Sequence, residues 1–423
     1  MFTWHEATRR RLCRLAFLAL VVVPTCAMLL AAAWIRSPLA VAGHRRALAE
    51  QLALDVKLDQ VSFPRPAVTR YEGLAIFDPE SGDCLASLGR LEIDNSGQKT
   101  LVTCTQTELN AAALELFWEL AARRLRRQSS LERPMEIVCR ELTLHFGDHA
   151  ETLLDVHTRF KQGDAGPQGL VVFHLAEQDP TAEVRMALVR NRQPSGIATI
   201  VQLETAAAVL PGRLMAALLP GWHQLGLSAA LTGSLWWQDG PEGWSGQIRG
   251  RISGVDLDAL VSDRFGRKFG GSATIDLERA RIQQGRLVDA KGSVSAGPGL
   301  MSRALLADAA IHLHAPAGAL SESPGALVTY DQLRFLFTLD EAGLALQGAC
   351  LTDQPGTLVL GRAGRPLLME PPAEPQSVLN LVRALAGAPE ERLPVSSAAQ
   401  DLIRLLPASK LADETLEARR PHR

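Results

Sequence analysis

The sequence predicts a mainly β protein attached to a membrane by one N-terminal helix. Three observations predict it. Leu15–Ile35 (LAFLALVVVPTCAMLLAAAWI) runs for 21 residues without a charge. Beyond it, segment after segment of about ten residues alternates apolar with polar side chains, bounded by Gly, Pro, Asp or Asn, as half-buried strands are. Only three or four later stretches carry helical periodicity.

The apolar stretch would span roughly 30 Å as a helix, the thickness of a bilayer's hydrocarbon core. Arg9, Arg10, Arg11 and Arg14 precede it. By the positive-inside rule the basic N-terminus, residues 1–14, stays cytoplasmic and the bulk crosses. Arg36, Arg45 and Arg46 follow as a looser cluster. Pro24 is tolerated in a membrane helix, and Trp34 with Arg36 suits an interface. A cleaved signal peptide is the alternative, with Ala31-Ala32-Ala33 as its small-residue run. Against it, the apolar run exceeds the ~7–15 residues of a usual signal core.

Charge is balanced, 44 Lys+Arg against 46 Asp+Glu, which speaks against a nucleic-acid partner. The six cysteines (Cys13, Cys26, Cys84, Cys104, Cys139, Cys350) are scattered without a CxxC. A Cys84–Cys104 bridge is open to an oxidising compartment.

In chain order, Gly43–Leu54 reads as a short helix and Asp55–Phe63 as a strand with a bulge. Arg70–Phe77 and Leu85–Asp94 flank the turn Asp78–Gly82 and complete a three-strand meander. Thr105–Gln128 reads as an inserted amphipathic helix. Thr caps start it, Leu109, Ala113, Leu116, Phe117 and Leu120 share a face, and Arg123, Arg124, Arg126 and Arg127 end it. That basic end fits either an anionic membrane surface or a helix covering a sheet. Strands resume at Met135 and continue to Thr205, closing a first β region, 43–205. Ala206–Leu219 reads as a helix with Pro211 near a kink or start.

A second β region, 206–372, contains expected strands at Leu225–Gln238, Gly246–Val255, Gly271–Glu278, Ala280–Val288, Lys291–Ala296, Leu306–Ala315, Gln332–Leu339, Gly343–Leu351 and Thr357–Leu360. In Gln332–Leu339, Leu333, Phe335, Phe337 and Leu339 share one face, with Arg334 and Thr338 opposite. The C-terminal segment, 373–423, holds helices at Gln376–Ala386 and Ser396–Leu406 and a charged tail, Lys410–Arg423. A sandwich hiding its apolar faces in pairs and a long curled sheet lining a groove both fit the alternation.

No catalytic signature is present: no P-loop, GxSxG or GxGxxG. Gly243-Trp244-Ser245-Gly246 falls one residue short of a nucleophile elbow. His145 and His149 have i, i+4 spacing, but Phe146–Asp148 reads as a turn. His312 and His314 would share one face of an expected strand without a third ligand. Asp256 and Asp258 read as a helix N-cap, and Trp236 and Trp237 as one indole on each strand face. Neither an enzyme, a cofactor nor a metal site is expected. Aliphatic sheet faces beside a membrane anchor point instead to binding something apolar.

The N-terminal run DVKLDQVSF…RYEGLAIFDPESGDCLASLGRLEID resembles AsmA-like proteins of bacterial envelopes. Val56, Leu58, Val61, Gly73, Leu74, Ile76, Asp78, Pro79, Leu85, Ala86, Leu91 and Ile93 carry the resemblance, together with Gly246–Val261 and Gly271–Leu306. It implies an elongated, twisted antiparallel β-sheet with a groove, similar to chorein-like lipid-transfer proteins, and a few flanking amphipathic helices. It also implies an inner-membrane protein, single-pass through Leu15–Ile35, with its bulk periplasmic. Membrane lipids are the expected partners, bound or conducted in support of outer-membrane lipid homeostasis or assembly. The groove residues would be Ile275, Leu277, Leu333, Phe335, Phe337, Leu339, Leu344 and Leu346. About 16 strands at ~4.8 Å give roughly 75 Å, short for crossing an envelope alone, so an envelope protein partner or an oligomer is also expected. The rival reading is a non-catalytic scaffold of an envelope complex with a closed β core.

Overall fold

The computed structural model describes residues 6–35, 37–111, 113–114, 116, 133–164, 166–193, 196–219, 221–240, 243–318, 326–387 and 396–407. Strand takes up 52% and helix 26%, so the fold is mainly β, and the strands form one open, mixed sheet. The chain divides into two compact units, Met1–Arg159 and Phe160–Arg423. The division falls inside a strand, whereas the sequence suggests a break between 205 and 206.

Helices α1 (Glu6–Phe17) and α2 (Val23–Ile35) are joined by a π-helical turn, Leu18–Val22. Pro24 lacks an N–H, and widening the preceding turn is one way a helix absorbs it. The Thr25 hydroxyl donates to the Val21 carbonyl at 2.6 Å. Arg10–Leu29, with mean hydropathy 2.2, is long and apolar enough to cross a membrane. Trp34 and Arg36 lie outside the residues whose side chains are described.

The first unit continues with α3 (Pro38–Leu52), which starts earlier than the sequence suggests because Ser37 caps it and Pro38 fills its first turn. The expected bulged strand is two short ones, β1 (Asp55–Lys57) and β2 (Gln60–Arg65), both antiparallel to β3 (Val68–Phe77). Gly73 (φ 62°) lies against the break between them, and a Cβ there would stand 2.0 Å from the Asp59 carboxylate. β4 (Cys84–Asp94) and β5 (Thr100–Asn110) extend the meander.

β6 (Met135–Phe146) then pairs with β5 in parallel. The sheet is therefore mixed, not wholly antiparallel as the resemblance implies. A parallel neighbour requires a crossover, and residues 111–134 supply it. Ala111, Ala113, Leu114 and Leu116 are helical, so the inserted helix begins after Asn110, and Thr105–Asn110 belongs to β5. Phe117, Leu120 and the four arginines lie outside the described residues.

In this unit α3 seals one sheet face. Val56, Val61, Tyr71 and Leu74 pack with Leu48 and Leu52, while Ile76, Leu85 and Ala86 pack with Ala113 and Leu116. The other face carries ion pairs: Arg70 with Glu92 at 2.9 Å, and Glu136 with Lys99 and with Arg159.

β7 (His149–Gly163) contains the division. The second unit runs β8 (Gly166–Leu175), β9 (Glu183–Gln193), β10 (Gly196–Glu204), β11 (Leu210–Pro211), α4 (Gly212–Leu218), β12 (Ala230–Gly240) and β13 (Gly243–Asp256). Next come β14 (Phe269–Gly270), β15 (Ser272–Gln283), β16 (Arg286–Ala296), β17 (Gly299–Ser302), α5 (Arg303–His312) and β18 (Leu327–Asp340). The described part closes with β19 (Gly343–Gly348), β20 (Thr357–Gly361), β21 (Pro366–Met369), α6 (Val378–Ala386) and α7 (Ser397–Leu405). Its described pairings are antiparallel, in the order β8–β9–β10–β12–β13–β15–β16–β18, with β19 and β20 both on the far side of β18.

Three expectations change here. Gly271–Glu278, Ala280–Val288 and Lys291–Ala296 are one hairpin, β15 and β16. The Ala206–Leu219 helix begins only at Gly212, with Pro211 as its N-cap. Leu306–Ala315 is not a strand: Ser302 accepts from the Leu305 N–H and starts α5, whose alanines favour helix. His312 therefore ends a helix, and His314 lies beyond it. The tail, Lys410–Arg423, lies outside the described residues.

Candidate functional site

The register across β13, β15, β16, β18 and β19 decides which side chains share a face. On β18, Leu333, Phe335, Phe337 and Leu339 stand opposite Ala296, Val294, Gly292 and Ala290 of β16. Val294 and Gly292 in turn face Ile275 and Leu277 of β15. Beyond β18, Leu346 and Leu344 pair with Phe337 and Leu339. Side chains directly opposite in a sheet point the same way. All eight groove residues read from the sequence thus lie on one face of adjoining strands.

That face is unevenly covered. Leu333, Leu339 and Leu344 are buried at 5%, 6% and 6% exposure. Ile275, Leu277, Phe335, Phe337 and Leu346, between them, are only half-buried. Among the helices of this unit, α5 packs on α6, α6 on α7, and α7 comes up against β16. Tyr330, fully buried nearby, donates its hydroxyl to the Gly270 carbonyl at 3.0 Å, and burial together with the Asp258 charge pushes its pKa up to about 12.

Sequence reading missed the glycines of this face. Gly292 faces Phe337, Gly348 faces Phe335, and Gly246 faces Trp237. Each aromatic therefore has a register partner without a side chain. At Gly292 a Cβ would lie 2.2 Å from the Asp276 carbonyl oxygen. The signal was in the sequence, as glycines inside strand patterns. Ile248 and Ile252 of β13 carry the apolar face onward.

The opposite face is polar. Arg251 pairs with Asp276 at 2.6 Å, Arg279 and Arg281 flank the buried Asp289, and Lys291 meets Glu278 at 2.7 Å. An open depression of about 480 Å³ lies there, lined by Thr232, Arg251, Asp276, Ser293 and Leu336 among others. It shares Leu277 with the expected groove but none of its aromatics.

The remaining candidates resolve locally. His145 ends β6 and His149 begins β7 across a turn, and His145 lies 3.8 Å from Glu108. The Asp256 carboxylate accepts from the Asp258 and Ala259 N–H groups, as a cap does. The Asp258 carboxyl is held below its usual range by Lys268 and the Ser262 hydroxyl. Trp236 and Trp237 point to opposite faces of β12. Among the described residues no group of three or more His, Cys, Asp or Glu could hold a metal ion.

Cys84 and Cys104 do not meet. Leu91 of β4, not Cys84, faces Cys104, and the offset of seven positions between Cys84 and Leu91 amounts to about 23 Å of strand.

The chain matches no family model and no curated protein.

Proposed function

We propose that this is an inner-membrane-anchored envelope protein that binds or conducts phospholipid-like molecules along the apolar face of β15, β16, β18 and β19. One observation carries the reading: five large apolar side chains of that face are only partly buried although they lie inside the sheet. Burying an acyl chain there needs no chemistry, since each buried CH₂ contributes about 0.8 kcal/mol. The polar opposite face remains in water. The N-terminal arginines would keep residues 1–14 cytoplasmic and the β units periplasmic, with supply of outer-membrane lipid as the process served.

Site-specific photo-crosslinking of the full chain in its native membrane tests this. A photoreactive residue at 335, 337 or 346 is expected to capture phospholipid, whereas one at 334 or 338, on the same strand but the opposite face, is not. Phe335→Asp together with Phe337→Asp should abolish capture at 346. Protein adducts without lipid at these positions would instead support the non-catalytic scaffold.

A further inference from the structure

Cys104 and Cys139 are register partners across the parallel seam of β5 and β6. Both are free thiols and both are buried, at 8% and 5% exposure. Directly paired residues of neighbouring strands have Cα atoms about 4.8 Å apart, inside the ~4.4–6.8 Å range that a disulfide accepts. Their side chains share the face that also carries Thr107, whose hydroxyl oxygen accepts from the Cys139 Sγ at 3.3 Å.

We propose that Cys104 and Cys139 are joined by a cross-strand disulfide when the protein folds in an oxidising compartment, so that the parallel seam of the first unit is covalently locked. The oxidant is a disulfide, either a small molecule such as oxidised glutathione or a protein oxidase. One cysteine thiolate attacks it, forming a mixed disulfide and expelling one of its sulfurs as a thiol. The second cysteine thiolate then displaces the other sulfur. The pair gives up two protons and two electrons, and the oxidant is reduced to two thiols.

Timing follows from burial. In the folded unit, burial and the neighbouring Cys139 push the Cys104 thiol up to about 12. Exchange needs the thiolate, so the bond forms while the chain is folding and the finished core then shields it. The inference rests on the envelope location proposed above only for the oxidant's presence in the cell.

The test is a thiol count on the full chain. Reduced, unfolded protein is refolded in detergent with oxidised glutathione, then denatured and alkylated. Four of the six cysteines should be alkylated, and non-reducing digestion should release one linked peptide pair carrying Cys104 and Cys139. Cys104→Ala and Cys139→Ala should each leave all five remaining cysteines alkylated. Six alkylated cysteines in the natural sequence, or a linked pair that omits either residue, would overturn the inference. If an alanine variant fails to fold, the peptide map of the natural sequence decides alone. The same map on protein taken from bacterial membranes separates the two readings. Linkage after glutathione but not in the cell would leave the pairing intact and remove the envelope location.

Discussion

The two units use one alternating pattern to different ends. In the first, α3 and the start of the crossover lie on the apolar face, and Val61, Tyr71, Leu74 and Ile76 are buried beneath them. In the second, Leu333, Leu339 and Leu344 are buried, while Phe335, Phe337 and Leu346 on the same face are only half-buried. The strands themselves barely differ. Alternation along a strand does not by itself decide how deeply its apolar face is buried.

Substitutions can break that contrast. Leu74→Ala should destabilise the first unit by about 2–5 kcal/mol, the usual cost of emptying a packed site. Phe337→Ala should cost less, roughly 1–2 kcal/mol, because its ring is less completely buried than the Leu74 side chain. Hydrogen exchange in β3 and β18 reads each unit separately, and equal losses would erase the distinction. Next in size is Gly292→Ala. Its new Cβ would meet the Asp276 carbonyl, and the strand shift needed should cost about 1–3 kcal/mol of protection in β15 and β16. Gly97→Ala in the first unit, with nothing nearer than 3.9 Å, should change little.

A smaller effect concerns Glu136. Lys99 and Arg159 hold its carboxyl below the ordinary value of 4.5. A depressed carboxyl contributes stability above its unfolded pKa and loses it as pH falls through the folded one. Both cations are more than half exposed, so the gain stays under about 1 kcal/mol. Urea midpoints of Glu136→Gln should lie below those of the natural sequence near neutral pH and converge with them once the pH falls below the depressed carboxyl pKa. A gap that widens in acid would reverse the assignment.

Much of the candidate site was legible because Leu333, Phe335, Phe337 and Leu339 recur at period two on β18, interrupted on the other face only by Leu336, and its neighbours keep register. β5 was not. Gln106 sits in a left-handed conformation (φ 51°), which interrupts the alternation, while Thr105, Thr107 and Glu108 imitate a helix start. α5 was missed for the opposite reason. His312 and His314 suggested a strand face, although Ser302 and the alanines after it already favoured a capped helix. What no period could reveal was coverage: Leu339 and Phe337 look alike in sequence, and only the fold makes one fully buried and the other partly so.

The parallel seam also bears on the order of folding. The hairpins of the first unit close over a few residues, but β6 can dock on β5 only after the long connection from Asn110 to Met135 has closed. Contacts of such sequence separation form late, because the entropy of closing the intervening loop must be met first. The meander β1–β5 is therefore expected to assemble before β6 arrives. Until it does, β5 presents an unpaired edge, and the time taken by that one crossover sets how long the nascent unit stays open to pairing with a wrong strand.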